Sequence, residues 1–326
     1  MKRRAWIQTG LGMGLLAHLP LRAASPLHWQ TTTFTGLGTT LSIRAAHDDA
    51  AKLNDALAQA RHVVERVEDQ MSLFRPLSAV QQLNRDGVLR KPPPDLLRVL
   101  QVSQRIASQS HGAFDVTVQP LWALYADAQK QGRLPTAAAV QEARQKVGWQ
   151  MLHVSPAQIE FAKPAMGITL NGIAQGYASD LVREHLKNAG VLHALINTGE
   201  WSSLGQAEGP RDWTLGIADP HHADRLLARL RMKGWCVATS ADDQCTFSAD
   251  RVHHHILDPA TGYSPRDIAS VTVVAKSCMQ ADALTKVVFV GGYANALNLA
   301  RAWGVEALVV HKDGRWQASP ALSRSL

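Results

Sequence analysis

Four runs between residues 192 and 274 decide the fold: 192–196 (LHALI), 213–217 (WTLGI), 235–238 (WCVA) and 270–274 (SVTVV). Each is short and apolar and sits near turn-forming Gly, Asn, Asp or Pro, the pattern of strands. They succeed one another in hairpin-like order, whereas a doubly wound parallel sheet alternates every strand with a helix. The expected class is therefore α+β, with mixed or antiparallel sheets packed against helices. Working back toward the N-terminus, 173–188 reads as a helix closed by Gly190, with strand-like runs at 152–154 and 167–170. A helix is expected at 136–146. Another runs to residue 110 after the break Pro92-Pro93-Pro94, with Asp95 as its cap. Residues 48–70 place apolar side chains at helical spacing, and 28–44 read as strands around Gly36-Leu37-Gly38. Toward the C-terminus, helices are expected at 279–290 and 293–303 and a last strand at 305–310.

The 326-residue chain is 46% hydrophobic and 19% charged, which suits a large core and excludes a disordered tail. Lys and Arg exceed Asp and Glu by 7. Four of the basic residues, Lys2, Arg3, Arg4 and Arg22, fall in residues 1–25, which hold no acid, so the remainder has an excess of only 3. Basicity confined to one end removes the main support for nucleic-acid binding. Residues 1–25 pair that basic start with a short Gly-rich apolar stretch and close on Ala23, Ala24 and Ser25. This is the composition of an export signal, too short in its apolar part for a membrane span. Arg3-Arg4 before Ala5-Trp6-Ile7 is similar to a twin-arginine signal; a general secretory signal is the other reading. The expectation is a periplasmic protein, with 1–25 as a leader that is cleaved or kept as an anchor, and 26–326 as one functional domain. Cys236, Cys245 and Cys278 are too few for a disulfide scaffold. Either Cys236 and Cys245 pair in an oxidising compartment, or all three are buried thiols.

Five segments carry chemistry. HGAFDVT (111–117) has a Gly that permits close backbone approach by a flat ligand; it reads equally as a helix end with a core Phe. TLNGIAQGYASD (169–180) places glycines at a strand-to-helix junction, where free N–H groups and the positive helix end suit a diphosphate. It has neither the Walker nor the Rossmann spacing, and a turn without ligand is the alternative. NTGE (197–200) reads as a turn at a strand end. RVHHHILDPATG (251–262) follows Thr239-Ser240. In a strand only His253 and His255 would share a face, no further ligands complete a zinc site, and a single His acting as acid or base competes with that reading. ADALTK (281–286) opens a helix on which Asp282 and Thr285, or residue 286, present a common face. Mg²⁺ accepts one or two such oxygens; an N-terminal acid favoured by the helix dipole is the alternative.

In this order the segments resemble the ApbE family, the FAD:protein FMN transferases. The resemblance spans about residues 35–310. GLGTT (36–40) stands where the family has Met-Gly-Thr, and EDQMSLFR (68–75), Ser78 and Leu83-Asn84 follow. GAFDVT (112–117) with Leu121-Trp122 matches G-x-F-D-x-T, and GIAQGYA (172–178) with Asp180 matches G-I-A-K-G-Y-A-x-D. Ala238-Thr239-Ser240 and HHILDP (254–259) with Thr261-Gly262 match the His-containing block, and ADAL (281–284) the metal-binding helix. The resemblance implies an ApbE-like, T-fold-like architecture and a Mg²⁺-dependent transferase outside the cytoplasm. Such an enzyme passes FMN from FAD, through its phosphate, to a Thr or Ser of a partner flavoprotein and releases AMP. The implied partner is an electron-transfer subunit of the membrane or periplasm.

The resemblance also assigns residues. Leu37, Ala113, Phe114, Asp115, Thr169, Gln175 and Ile256 are to line the FAD site. Asp282 and Thr285 are to bind Mg²⁺, with a backbone oxygen from the turn carrying Gly172 and Ala174. His255 is to take the acceptor's proton, with Asp282 as the second catalytic residue. The chain departs from the pattern at four places. Lys286 replaces a second metal-binding Thr, so that its ammonium stands in for a cation, contacts the diphosphate or points away. Gln175 replaces a Lys, Ala241 stands where Gly is usual, and NTGE lacks a second Gly. These departures keep two other readings open: an FAD-binding carrier or assembly protein with little or no catalysis, and a pyrophosphatase yielding FMN and AMP.

Overall fold

The computed structural model describes residues 26–209 and 211–324; the leader expected over 1–25 lies outside the described residues. The described chain begins with a hairpin, β1 (His28–Gly36) and β2 (Thr39–His47). Its two turn residues, Leu37 and Gly38, both have positive φ (51° and 78°), the geometry of a type I′ turn that matches strand twist. Helix α1 (Ala50–Met71) starts at Asp49, whose carboxylate accepts the N–H groups of Ala51 and Lys52 at 2.9 and 3.1 Å. Its buried side chains, from Leu53 through Ala60 to Val67 and Met71, step by three and four.

A helical excursion follows: α2 (Ala79–Asp86), β3 (Val88–Arg90), α3 (Pro94–Gln109), α4 (Gln119–Lys130), α5 (Ala137–Arg144), β4 (Leu152–Val154) and β5 (Gln158–Phe161). Strands β3, β5 and β4 form a small antiparallel sheet in that order. The chain then returns through α6 (Ala174–Asn188), β6 (His193–Asn197), β7 (Trp201–Leu204), β8 (Trp213–Asp219), β9 (His222–Met232), β10 (Cys236–Ala241) and β11 (Ile268–Ala275). It ends with α7 (Cys278–Val290), α8 (Ala296–Ala302), β12 (Glu306–His311) and β13 (Trp316–Ala318), followed by one short helical turn.

The main sheet has eight strands in the order β1-β2-β6-β7-β10-β11-β12-β13, every neighbour antiparallel. Helix α1 packs on β1 and β2, α7 packs on β10 and β11, and α6 lies against both helices. The other face is covered by the β8–β9 hairpin. Its Trp213, Ile217, Leu230 and Met232 pack on Val237, Val274, Leu308 and Val310. Strand β11 is thus buried at all eight positions, which is why it reads as a continuous apolar run rather than an alternation. Among the described residues no helix is long and apolar enough to cross a membrane.

The α+β reading matches this architecture; several details differ. Residues 167–170 are not a sheet strand. Asn84 serves as their partner instead: its Oδ1 accepts the Ile168 N–H at 2.8 Å and its Nδ2 donates to the Ile168 carbonyl at 2.9 Å. Asp95 does not cap α3, which begins at Pro94. It accepts from Arg66, Gln70 and the Tyr177 hydroxyl, tying α3 to α1 and α6. Strand β7 is not legible in the sequence because its serines look solvent-facing, yet Ser202 is buried in a 2.8 Å bond with Ser179.

Candidate functional site

A cavity of about 340 Å³ opens where the α3–α4 loop, the start of α6, the end of β10 and α7 meet. Loop curvature at His111 and Gly112, both at positive φ, carries Ala113, Phe114 and Asp115 to its wall. The other walls hold Thr169, Gly172, Gln175, His255 and Ile256. Asp115 is buried and saturated by protein donors. Its Oδ1 accepts the N–H and hydroxyl of Thr117 at 2.8 and 2.7 Å, and its Oδ2 the Trp149 N–H at 2.9 Å. Burial raises its pKa against the pull of those bonds.

Leu37 and Ala174 line a smaller adjoining cavity of about 200 Å³, which shares Asn171 and Gln175 with the first. Gln175 joins the two by donating to the Leu37 carbonyl at 3.3 Å. It also packs onto Gly199, where a Cβ would come within 2.4 Å of the Gln175 Cδ. At the start of helix α6 the Ile173 side chain makes no cap hydrogen bond; the buried Asp282 carboxylate instead accepts the Gly176 N–H of the first turn at 3.1 Å, so the positive helix end already holds an acid.

Residues 251–257 form loop, not strand, and the three histidines diverge. His253 stacks on Tyr125 with ring centroids 6.1 Å apart. His254 is fully buried, donating from Nε2 to the Pro265 carbonyl at 3.2 Å with its ring edge-on to Phe289. Only His255 reaches the cavity. Its Nδ1 lies 3.2 Å from the Cys245 carbonyl, an acceptor only, so Nδ1 carries the proton and Nε2 the lone pair. Burial lowers its pKa, helped by Lys286 and opposed by the Cys245 bond, and the ring is neutral at pH 7.

The cluster on α7 is closed. Asp282 has a side chain only 1% exposed. Its Oδ2 accepts the Gly176 N–H at 3.1 Å and its Oδ1 the Lys286 Nζ at 2.5 Å. Thr285 is fully buried, bonded to the Asp282 carbonyl at 2.6 Å and to the Ser240 hydroxyl at 2.7 Å. Neither reaches the cavity, whereas Lys286 does. The Mg²⁺ donor set expected at Asp282 and Thr285 therefore does not fit: an ion at Asp282 would have to displace an ammonium. Among the described residues no three His, Cys, Asp or Glu side chains converge to hold a metal. The three cysteines are free thiols.

Glu200 is a site residue that the sequence reading passed over. It is buried, lines the cavity and accepts the Thr239 N–H at 3.2 Å. Burial and the nearby Asp282 push its pKa well up, against the pull of Lys286. An acid in a tight turn ahead of Trp201 was the only available signal.

A family model described as the ApbE family matches residues 37–309. An FAD:protein FMN transferase of Vibrio cholerae is 28% identical over 320 residues, covering 95% of this chain and 94% of that protein. One of Treponema pallidum is 27% identical over 309 residues, covering 88% and 85%. The solved flavin transferase ApbE from Vibrio cholerae superposes with a TM-score of 0.81 at 25% identity, over 92% of this chain and all of that one. With the family model spanning most of its length and its fold shared by a solved member, the chain belongs to the ApbE family.

Proposed function

We propose that this flavinyltransferase moves the FMN half of FAD onto a Ser or Thr hydroxyl of a partner protein and releases AMP. The observation that carries the reading is His255. A neutral imidazole, held by the Cys245 carbonyl in the tautomer with Nε2 unprotonated, stands in a cavity that also holds the Lys286 ammonium. A base and a cation thus share one cavity. The acceptor hydroxyl attacks the phosphorus of the FMN half, and its proton passes to His255 Nε2. A new phosphoester bond forms as the diphosphate P–O bond breaks, and AMP leaves with the electron pair on its phosphate oxygen. Positioning and a fixed positive charge supply most of what such a transfer needs. The divalent cation implied by the resemblance lacks a fitting donor set here, because Lys286 already occupies the Asp282 carboxylate. Residues 1–25 support a periplasmic setting, with an acceptor among electron-transfer proteins there or in the membrane.

The test mixes the full chain with FAD and an acceptor domain bearing a target Ser or Thr. The expected result is a flavin-fluorescent acceptor band on a denaturing gel with an equal amount of AMP. AMP without the band indicates hydrolysis and overturns the transferase reading. FAD binding with neither product leaves only a carrier.

A further inference from the structure

We infer that Lys286 is a resident cation of the site, and that the chain binds and activates the FAD diphosphate through this ammonium without a divalent metal. The inference rests on FAD being the substrate. Lys286 stands at i+4 from Asp282 on α7, directly over it on the same helix face. Its Nζ spans the Asp282 carboxylate at 2.5 Å and the Asp282 carbonyl at 3.1 Å. An ammonium has three donors; two are spent on Asp282. Among the described residues no protein acceptor is recorded for the third, and the side chain, 20% exposed, lines the cavity.

The fold makes room for this arrangement. A Cβ at residue 172 would stand 3.0 Å from the Lys286 Cε and 3.6 Å from its Nζ, so the bare Gly172 backbone is the wall along which the side chain passes. Asp282 in turn is buried so deeply that its charge needs a partner. Lys286 is that partner, and its contacts fix the ammonium before any ligand arrives. The result is a charge anchored in the cavity wall, an arrangement that suits a phosphate.

The experiment measures FAD binding by flavin fluorescence and AMP release for the full-length wild type and Lys286→Thr, each in EDTA and in excess Mg²⁺. A thermal melt with Mg²⁺ alone accompanies both. The wild type is expected to hold its FAD Kd within about twofold in EDTA and to show no Mg²⁺-induced rise in Tm. In EDTA, Lys286→Thr is expected to lose roughly tenfold or more in FAD affinity, the effect of removing a hydrogen bond to a charged group. Mg²⁺ should restore that loss, because the shorter side chain exposes Asp282. Loss of wild-type FAD binding in EDTA with recovery in Mg²⁺ overturns the inference while leaving the transferase reading intact. That arm needs no variant to fold. Metal-independent FAD binding without AMP or a labelled acceptor overturns the transferase reading and the activating role of Lys286, and leaves only its binding role standing. No FAD binding under any condition overturns both.

Discussion

Helices α6 and α7 touch at Gly176, and that contact sets the position of Asp282. A Cβ added at residue 176 would lie 2.3 Å from the Cys278 carbonyl oxygen, 2.7 Å from its carbon and 2.8 Å from the Asp282 Cβ. Ordinary contacts of this kind begin near 3.4 Å, so in Gly176→Ala the helices must separate by about 1 Å. The obstacle is backbone, which cannot rotate aside, and overpacking against it costs about 3 kcal/mol, the upper part of the usual range. Alanine returns about 1 kcal/mol through its better helix propensity. The expected net loss is about 2 kcal/mol, or a fall in Tm of roughly 3 °C for a domain of this size. The same separation lengthens the 3.1 Å bond from the Gly176 N–H to Asp282 and shifts Lys286, so FAD affinity should fall as well. Circular dichroism melts and a fluorescence titration with FAD measure the two effects. A variant as stable as the wild type, with unchanged FAD affinity, would refute the close crossing and the reasoning built on it.

Three further outcomes are expected. Asn84→Ala leaves the buried Ile168 N–H and carbonyl without their 2.8 and 2.9 Å partners and should cost about 2–4 kcal/mol, read as a lower urea midpoint at unchanged m. His255→Gln should cut FMN transfer by roughly 10²–10⁴-fold with FAD affinity nearly unchanged. In the wild type the acid limb of the rate should lie below the ordinary histidine pKa, because burial lowers that of His255; a limb above about 6.5 contradicts its assignment as the base. Burial pulls the pKa of His254 down to about 4, so the unfolded ring takes up a proton near 6.5 that the folded ring refuses. Stability is therefore lost as pH falls from about 6.5 toward 4, by about 3 kcal/mol from this residue, and His254→Gln should remove that share of the decline in urea midpoint.

The parts of the fold that could be read from the chain are those in which one periodicity decides. Helix α1 buries one stripe from Leu53 to Met71, and β11 is apolar because sheet and helix close over one face and the β8–β9 hairpin over the other. The parts that could not be read depend on a distant partner. Ser202 is interior with Ser179 as its partner, and 167–170 lies outside any sheet, with both backbone groups of Ile168 bonded by Asn84, more than eighty positions earlier, and the Thr169 N–H bonded by the Val116 carbonyl. Strand β9 carries Arg225, Arg229 and Arg231 among its apolar residues and so shows no clear core face. In the site, the ordered motifs do meet: Ala113, Phe114, Thr169, Gly172, Gln175, His255 and Ile256 face one cavity. A shared face for His253 and His255 requires a strand, and the loop that forms instead sends only His255 to the cavity.

The α7 cluster shows why a motif can be right in its letters and still leave its chemistry undecided. On a helix, residue i+4 always lies over residue i, so whatever stands at 286 covers Asp282. A short hydroxyl there would leave the carboxylate facing the cavity as a ligand for an incoming ion. A lysine reaches back to the carboxylate and forward to the cavity at once, turning Asp282 from a ligand into a counterion. Thr285, one position earlier, cannot take over, because the 100° step of the helix turns it toward Ser240 and into the core. The identity of a single side chain at 286 thus decides whether the positive charge at this site arrives from solution or is built into the chain.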